Sequence, residues 1–169
     1  EHGHPVSADR LGLLLARDMA SRHPRSHFVV DVKSTGLFAS DPHLAAHGAT
    51  VEYWKTGHSY MRARMLETGA IAAFEKSGHF YFNRPEGLGY DDAIASALAV
   101  CRLLGSGADG TLSSRLASLG RSFATPTMSP HCPDHAKYRI AGAIRDHYES
   151  RRRRGELLAG RSIAAINAM

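Results

Sequence analysis

A buried strand followed by a polar loop and a helix is the feature of this sequence that most restricts its fold. Residues 28–32 read Phe-Val-Val-Asp-Val, a run typical of a strand that is covered on both faces. A second strand, over residues 50–54, is predicted after a helix at residues 37–47. This alternation favours an α/β domain in which the two strands pair in parallel. In such sheets ligands gather at the loops after the carboxyl ends of the strands.

Two short apolar runs on either side of residues 75–79 predict a β-hairpin. Residues 71–74 and 80–82 are apolar and β-prone, and the polar segment between them contains a glycine. The hairpin tip therefore displays the carboxylate of Glu75, the hydroxyl of Ser77 and the imidazole of His79. Such groups accept and donate hydrogen bonds and carry protons, which suits recognition of a hydroxyl-rich ligand. The alternative is a polar turn whose side chains meet only water.

Helices are predicted to cover this sheet. Candidate caps and apolar spacing place them at residues 7–23, 37–47, 59–69, 92–104 and 111–119, with a last helix from residue 134 or 135 to the arginine run at 151–154. Connectors are expected at residues 104–110 and, in extended form, at 123–133. The tail around residues 162–166 is interpreted as a strand or a linker.

Composition limits the class of protein. The chain has 169 residues, of which 43% are hydrophobic and 22% charged, as in one soluble globular domain. It has no apolar run near the ~20 residues that cross a bilayer, so no membrane partner is expected. Cys101, in an apolar helical run, is interpreted as a small core residue. Two cysteines, Cys101 and Cys132, cannot form a disulfide framework, so we expect a cytoplasmic, reducing location. The polar start is not a signal peptide, and the initial Glu1 suggests a piece of a longer protein.

The formal charge of +5 is concentrated in one run of four arginines, residues 151–154. Such a run is typical of a solvated helix end, and nucleic-acid binding is the alternative. No aromatic residues alternate with the arginines, so base stacking has no support and no nucleic-acid partner is expected. His131, Cys132 and His135 are residue types that bind zinc, but they lie in a Pro-rich loop without a second matching pair. We therefore predict no metal site in this chain.

Four motifs in order resemble the third domain of the α-D-phosphohexomutases, the family that includes the phosphomannomutase/phosphoglucomutase enzymes. They are Asp31-Val32-Lys33, Trp54-Lys55-Thr56-Gly57-His58, Glu75-Lys76-Ser77-Gly78-His79 and Tyr90-Asp91-Asp92. The resemblance implies a three-layer α/β/α domain whose small mixed sheet, a parallel strand pair plus an antiparallel hairpin, is covered by helices. It assigns residues 1–6 to a remnant of the preceding domain, 7–154 to the sugar-recognition domain and 155–169 to a linker toward a fourth domain.

The resemblance also implies an activity for the parent protein. Members of the family interconvert hexose 1-phosphate and hexose 6-phosphate through a phosphoserine and a hexose 1,6-bisphosphate intermediate. The implied partners are a hexose phosphate, of mannose or glucose, and the other domains of the same parent chain. Mg²⁺ is implied as the cofactor of the parent enzyme, with its ligands on another domain. This chain alone is then expected to be inactive.

Site residues are carried over from the matching motifs. Glu75 and Ser77 are expected to hydrogen-bond the 3- and 4-hydroxyls of the sugar, and Lys33 is expected to line the substrate cleft. His58 and His79 are the candidate catalytic residues, with His79 as the proton carrier. Phosphoryl transfer is mostly positioning and charge neutralisation, which suits these residue types. A nucleic-acid-binding module and a non-catalytic interaction domain remain the alternatives.

Two departures from the family pattern concern the hairpin. Phe74 stands where the family motif begins with Gly, which leaves the packing of the loop open. Lys76 stands where the mannose/glucose enzymes usually carry Met, which leaves the sugar preference open.

Overall fold

The computed structural model describes residues 3, 5–105, 111–124, 129–158 and 161–162, with residues beyond 156 described by their backbone alone. The chain divides between Ala124 and Thr125 into two compact units, and each unit is described separately. The strands of the first unit are β1 (His27–Asp31), β2 (Thr50–Trp54), β3 (Ala72–Phe74), β4 (Phe80–Phe82) and β5 (Tyr90–Asp91). Its helices are α1 (Ala8–Arg22), α2 (Leu37–Ser40), α3 (Pro42–Ala46), α4 (His58–Thr68), α5 (Ala93–Gly105) and α6 (Leu112–Ala117).

The strands form one mixed sheet in the order β2-β1-β3-β4-β5. Strand β1 is parallel to β2 and to β3, so the carboxyl ends of these three strands share one edge. Strands β3 and β4 form the predicted antiparallel hairpin, with Phe74 opposite Phe80, and β5 pairs antiparallel with β4. The predicted α/β class and the parallel pairing of the first two strands are confirmed.

Alternate residues of the central strands face two different helical layers. On one face, Phe28, Val30 and Phe74 pack in a core with α1, and Ala99 of α5 and Leu119 join it. On the other face, a second core cluster packs against α4 and consists of Val29, Met61, Met65, Ala70, Ala73 and Tyr81. This period of two places helices on both sides of the sheet, as in the predicted three-layer arrangement.

Phe74 belongs to the first of these cores and not to the hairpin tip. Its ring is fully buried and lies 5.9 Å from the ring of Phe38 and 5.4 Å from that of Phe80. Gly12 of α1 makes room for it, since a Cβ atom at Gly12 would come within 3.1 Å of the Phe74 ring. The departure from the family's glycine therefore changes the core beneath the loop.

The single helix predicted over residues 37–47 is wrong, because two short helices occupy this range. Asp41 separates α2 from α3 in an extended conformation, with φ −71° and ψ 118°. The residue before a proline avoids the helical region, and Pro42 follows here. The Asp41 carboxylate then caps α3 by accepting hydrogen bonds from the backbone nitrogens of His43 and Leu44, at 3.0 and 3.1 Å.

The predicted cap of α4 also differs. The helix begins at His58, one residue before Ser59, and Gly57 occupies the capping position with a φ of 132°. The helix ends, as predicted, at Gly69, which adopts the left-handed conformation at φ 69°.

The prediction that Cys101 is a core residue is wrong, since Cys101 is exposed. Helix α5 is capped by Asp92, as predicted, through hydrogen bonds from the backbone nitrogens of Ile94 and Ala95. Only Ala99 and Leu103, four residues apart, are buried. The helix is apolar on most sides, so its composition did not reveal which face meets the core.

The second unit contains helix α7 (Lys137–Arg153) and an antiparallel pair of short strands, β6 (Leu157–Leu158) and β7 (Arg161–Ser162). The helix starts slightly later than predicted and reaches the arginine run. The connector at residues 106–110, part of the predicted extended stretch at 125–128 and the tail at 163–166 lie outside the described residues. In the described ranges no helix is both long enough and apolar enough to span a bilayer.

Candidate functional site

A buried carboxylate joins the loops that follow the three parallel strands. Asp31, the last residue of β1, has no exposed surface. It accepts hydrogen bonds from Oγ of Ser34 at 2.5 Å, from Oγ1 of Thr56 at 3.1 Å and from the backbone nitrogen of Lys76 at 3.2 Å. These donors lie in the loops after β1, β2 and β3, so Asp31 holds all three loops at the same edge of the sheet.

The hairpin tip carries Glu75 and Ser77 in different environments. Glu75 is only 3% exposed, whereas Ser77 is exposed. The two Glu75 oxygens have different donors: Oε1 accepts from the hydroxyl of Tyr81 at 2.9 Å, and Oε2 accepts from Oγ of Ser77 at 3.3 Å. Gly78 closes the tip with a φ of 98°, and its backbone nitrogen donates to the backbone carbonyl oxygen of Glu75. Glu75 is therefore a mostly enclosed acceptor beside an exposed hydroxyl.

His58 lies on the same side of the sheet as Glu75. It is the exposed first residue of α4, and its ring centre lies 5.3 Å from the ring centre of Tyr81, at an interplanar angle of 60°. Since Glu75 bonds the hydroxyl of that tyrosine and His58 contacts its ring, Tyr81 brings the two predicted site residues together.

His79 is oriented by a carboxylate of the neighbouring strand. Its Nδ1 lies 2.6 Å from Oδ2 of Asp91 in β5, and its side chain is 54% exposed. A carboxylate at one ring nitrogen fixes the ring and leaves the other nitrogen toward solvent, an arrangement suited to proton exchange.

Lys33 follows β1 in the turn at the carboxyl edge and is exposed. It has no hydrogen bond or ion pair within the described part of the chain. Lys55, in the loop after β2, is engaged differently, because its Nζ lies 3.9 Å from the ring centre of Tyr60. Lys33 is thus an uncommitted positive charge near the hairpin tip.

Reasoning from the sequence missed two residues of this site, Asp31 and Tyr81. Asp31 lies in one of the four motifs, and a charge inside an apolar strand run indicates a buried polar network, but the motif alone assigns no role to it. Tyr81, in an apolar strand, gave no comparable signal. The described ranges contain no group of three or more His, Cys, Asp or Glu side chains arranged to hold a metal ion.

The fold and this loop cluster define a three-layer α/β/α domain with polar side chains gathered at the carboxyl edge of its parallel strands. The sequence model described as "Phosphoglucomutase/phosphomannomutase, alpha/beta/alpha domain III" matches residues 7–123. This match covers well over half of the chain, which therefore belongs to the phosphoglucomutase/phosphomannomutase family. The predicted family and the predicted third domain are confirmed.

Individual relatives support the same family assignment. The chain is 33% identical over 142 residues to a phosphomannomutase/phosphoglucomutase of Pseudomonas putida, covering 84% of this chain and 30% of the relative. It is 34% identical over 132 residues to a phosphoglucomutase of Neisseria gonorrhoeae, covering 78% of this chain and 28% of the relative. The chain spans less than a third of the length of these relatives.

Solved structures resemble the domain as well. A phosphoglucomutase/phosphomannomutase family protein of Burkholderia thailandensis superposes with a TM-score of 0.65 at 34% identity, over 73% of this chain and 26% of that one. A structure described as a phosphomannomutase of Thermus thermophilus superposes with a TM-score of 0.56 at 20% identity, over 66% and 24% of the two chains, which supports the fold alone.

Proposed function

We propose that this chain is the sugar-recognition domain of a phosphohexomutase that interconverts hexose 1-phosphate and hexose 6-phosphate, of mannose or glucose. The reaction passes through a phosphoserine, which lies on another domain of the parent chain, and through a hexose 1,6-bisphosphate intermediate. The observation that carries the proposal is the convergence of Glu75 and His58 on Tyr81 beside the hairpin tip. Family membership supplies the reaction class. A cytoplasmic location belongs to the same proposal.

The proposed domain covers residues 7–154, and residues 155–169 lead toward a fourth domain. All of the proposed site residues lie between Lys33 and His79, inside the part that the family model matches. The phosphoserine and the metal ligands of the proposed reaction are expected on other domains of the parent protein.

Each proposed role follows from the surroundings of its side chain. Oε2 of Glu75 and the hydroxyl of Ser77 receive and donate hydrogen bonds at the sugar hydroxyls. Lys33 is uncommitted and attracts the oxygens of the phosphoryl group, while His58 borders the same cleft. His79, fixed by Asp91, carries the hydroxyl proton through its solvent-facing nitrogen.

Magnesium fits the residues of this chain poorly. Mg²⁺ prefers several oxygen ligands in octahedral geometry, and no side-chain cluster of that kind occurs in the described ranges. The dependence on Mg²⁺ is therefore proposed for the longer parent protein, with its ligands on another domain.

The ion pairs of the arginine run argue against the alternative of nucleic-acid binding. Arg152 and Arg153 pair with Glu149, at 2.7 and 3.1 Å. Arg151 and Arg154 pair with Glu156, at 2.7 and 2.6 Å. These carboxylates offset much of the positive charge that phosphate contacts would require.

The test is a mutase assay on the full-length protein with Glu75→Ala and a control, Arg152→Ala. Loss of hydrogen bonds to a charged acceptor should lower kcat/KM for glucose or mannose 1-phosphate by about 10–100-fold in Glu75→Ala. Arg152→Ala should stay within about twofold, because exposed ion pairs contribute little. Equal losses in the two variants would reject the assignment of the hairpin to sugar recognition.

A further inference from the structure

Tyr81 lies between two of the proposed site residues, although no motif in the sequence assigns it a role. We propose that Tyr81 is a positioning residue that holds the Glu75 carboxylate and the His58 ring for recognition of the sugar hydroxyls. This inference rests on the proposed function of the hairpin and adds to it which oxygen of Glu75 is presented to the ligand.

Tyr81 is the middle residue of β4, and its side chain is fully buried. Its ring packs on the face of the sheet covered by α4, while its hydroxyl donates to Oε1 of Glu75 at 2.9 Å. Burial, and then the hydrogen bond and charge of Glu75, raise the pKa of the Tyr81 phenol. The oxygen therefore keeps its single proton at neutral pH and remains a donor to the carboxylate.

This hydrogen bond gives the two oxygens of Glu75 different roles. Oε1 already holds a donor from inside the protein. Oε2 accepts a hydrogen bond from Oγ of Ser77, an exposed residue of the tip. The distance of 3.3 Å is near the upper limit for a hydrogen bond. A sugar hydroxyl that takes the place of Ser77 therefore meets Oε2. Rotation of the carboxylate would remove the Tyr81 donor from a group that is 3% exposed, which is costly for a buried charge.

The same ring also supports His58. The ring centres of His58 and Tyr81 lie 5.3 Å apart at 60°, within the range of edge-to-face contacts. The contact sets the direction of an otherwise exposed side chain at the start of α4. Because one rigid side chain contacts both groups, their separation is set by Tyr81.

If Tyr81 served only the core, its ring would suffice and its hydroxyl would have no role in recognition. Tyr81→Phe separates packing from hydrogen bonding, because it keeps the ring and its contact with His58 but removes the hydroxyl donor. Oε1 of Glu75 is then left enclosed without its donor, and the carboxylate is free to turn. Ligand recognition should change while packing does not.

The experiment compares full-length wild-type protein with Tyr81→Phe, using glucose 1-phosphate and its 3-deoxy and 4-deoxy analogues. Tyr81→Phe should lower kcat/KM for glucose 1-phosphate by about tenfold, the worth of one hydrogen bond to a charged group. For at least one deoxy analogue, which lacks a hydroxyl for Glu75 to bind, kcat/KM should fall much less. The ratio of kcat/KM for glucose 1-phosphate to that for this analogue should therefore decrease. In a Glu75→Ala background the effect of Tyr81→Phe should disappear.

Tyr53→Phe is the matched control. Tyr53 of β2 packs against the core on the other face of the sheet, and its hydroxyl donates to the backbone oxygen of Thr35 at 2.7 Å. Tyr53→Phe also removes one hydrogen bond donated by a tyrosine hydroxyl, but its acceptor is a neutral backbone oxygen and not the Glu75 carboxylate. The control should lower the Tm without changing the discrimination between glucose 1-phosphate and the deoxy analogues.

Three outcomes would overturn the inference. Equal losses on glucose 1-phosphate and both deoxy analogues would assign the Tyr81 hydroxyl to stability alone, and so would a Tyr81→Phe protein that no longer melts cooperatively. A loss that persists unchanged in the Glu75→Ala background would show that the hydroxyl acts elsewhere. Wild-type protein without mutase activity would instead reject the proposed function, and with it the site that Tyr81 is inferred to position.

Discussion

The backbone nitrogen of Lys76 donates a hydrogen bond to Oδ1 of Asp31 at 3.2 Å, which joins the hairpin tip to the end of β1 across a sequence separation of 45 residues. The same carboxylate accepts hydrogen bonds from the hydroxyls of Ser34 and Thr56. One buried side chain thus binds a donor from every loop that carries a proposed site residue, two of them hydroxyls and one a backbone nitrogen. Rigid support of this kind keeps the geometry of a recognition site constant before and after a ligand binds.

Asp31→Ala should therefore destabilise the protein by about 2–4 kcal/mol, because three donors lose their shared acceptor in a fully buried position. Asp31→Asn keeps the shape and one acceptor oxygen, and should cost about half as much. Urea denaturation followed by circular dichroism measures both values. An alanine variant within about 0.5 kcal/mol of wild type would contradict the role assigned to Asp31.

The loop after β4 should make stability depend on acidity. Glu86 pairs with Arg22 and with His23, and lies 2.7 Å from Arg102 of α5. Burial alone would raise the pKa of Glu86, but hydrogen bonds from these three side chains lower it to about 2, from an ordinary value of 4.5. A lowered pKa in the folded state contributes stability above pH 4.5, and this contribution is lost as the pH falls toward 2.

Glu86→Gln should thus lower the free energy of unfolding by about 1 kcal/mol at pH 6, a value reduced for screening by solvent. The difference from wild type should shrink between pH 4.5 and pH 2. Glu67→Gln is the control, because Glu67 is 68% exposed and pairs only at the surface with Arg64. Urea titrations at several pH values test this, and a difference that stays constant down to pH 2 would exclude the linkage.

Gly12→Ala should destabilise the protein, against the usual effect of this change inside a helix. Alanine normally stabilises a helix interior by about 0.5–1 kcal/mol relative to glycine. At Gly12 the added Cβ would lie 3.1–3.3 Å from three atoms of Phe74, whose ring is enclosed by other aromatic rings and cannot move aside. We expect a net loss of about 1 kcal/mol, from overpacking.

Gly105→Ala provides the comparison for this prediction, since a Cβ at Gly105 meets no atom of the described residues within 4 Å. It should leave the Tm unchanged or slightly raised. Thermal melts of both variants decide the matter. A Gly12→Ala protein more stable than wild type would show that Phe74 has room that its contacts do not indicate.

The chain by itself should fold but catalyse no mutase reaction. Its residues up to Ala124 have two core clusters of their own. The proposed phosphoserine and magnesium site lie on other domains, and hydroxyl contacts alone should bind hexose phosphates with a Kd of about a millimolar or weaker. A thermal melt and a coupled mutase assay on the purified chain test both parts. Measurable conversion of glucose 1-phosphate to glucose 6-phosphate would contradict the prediction.

Neighbouring residues were enough to predict the family, the α/β class and the hairpin. These depend on local signals: short continuous apolar runs, a glycine in the polar tip, and four motifs in order along the chain. Such signals are carried by neighbouring residues, so they can be interpreted without knowing which strands pair. For the same reason the sequence placed Glu75 and His79 on one tip.

Contacts between residues far apart in the chain could not be predicted from the sequence and became known from the fold. The three donors of Asp31 come from different loops, and the contact of Tyr81 with His58 depends on how α4 packs on β4. The exposure of Cys101 likewise depends on which face of α5 meets α1. These outcomes are set by strand order, register and packing of whole elements, which no local pattern encodes.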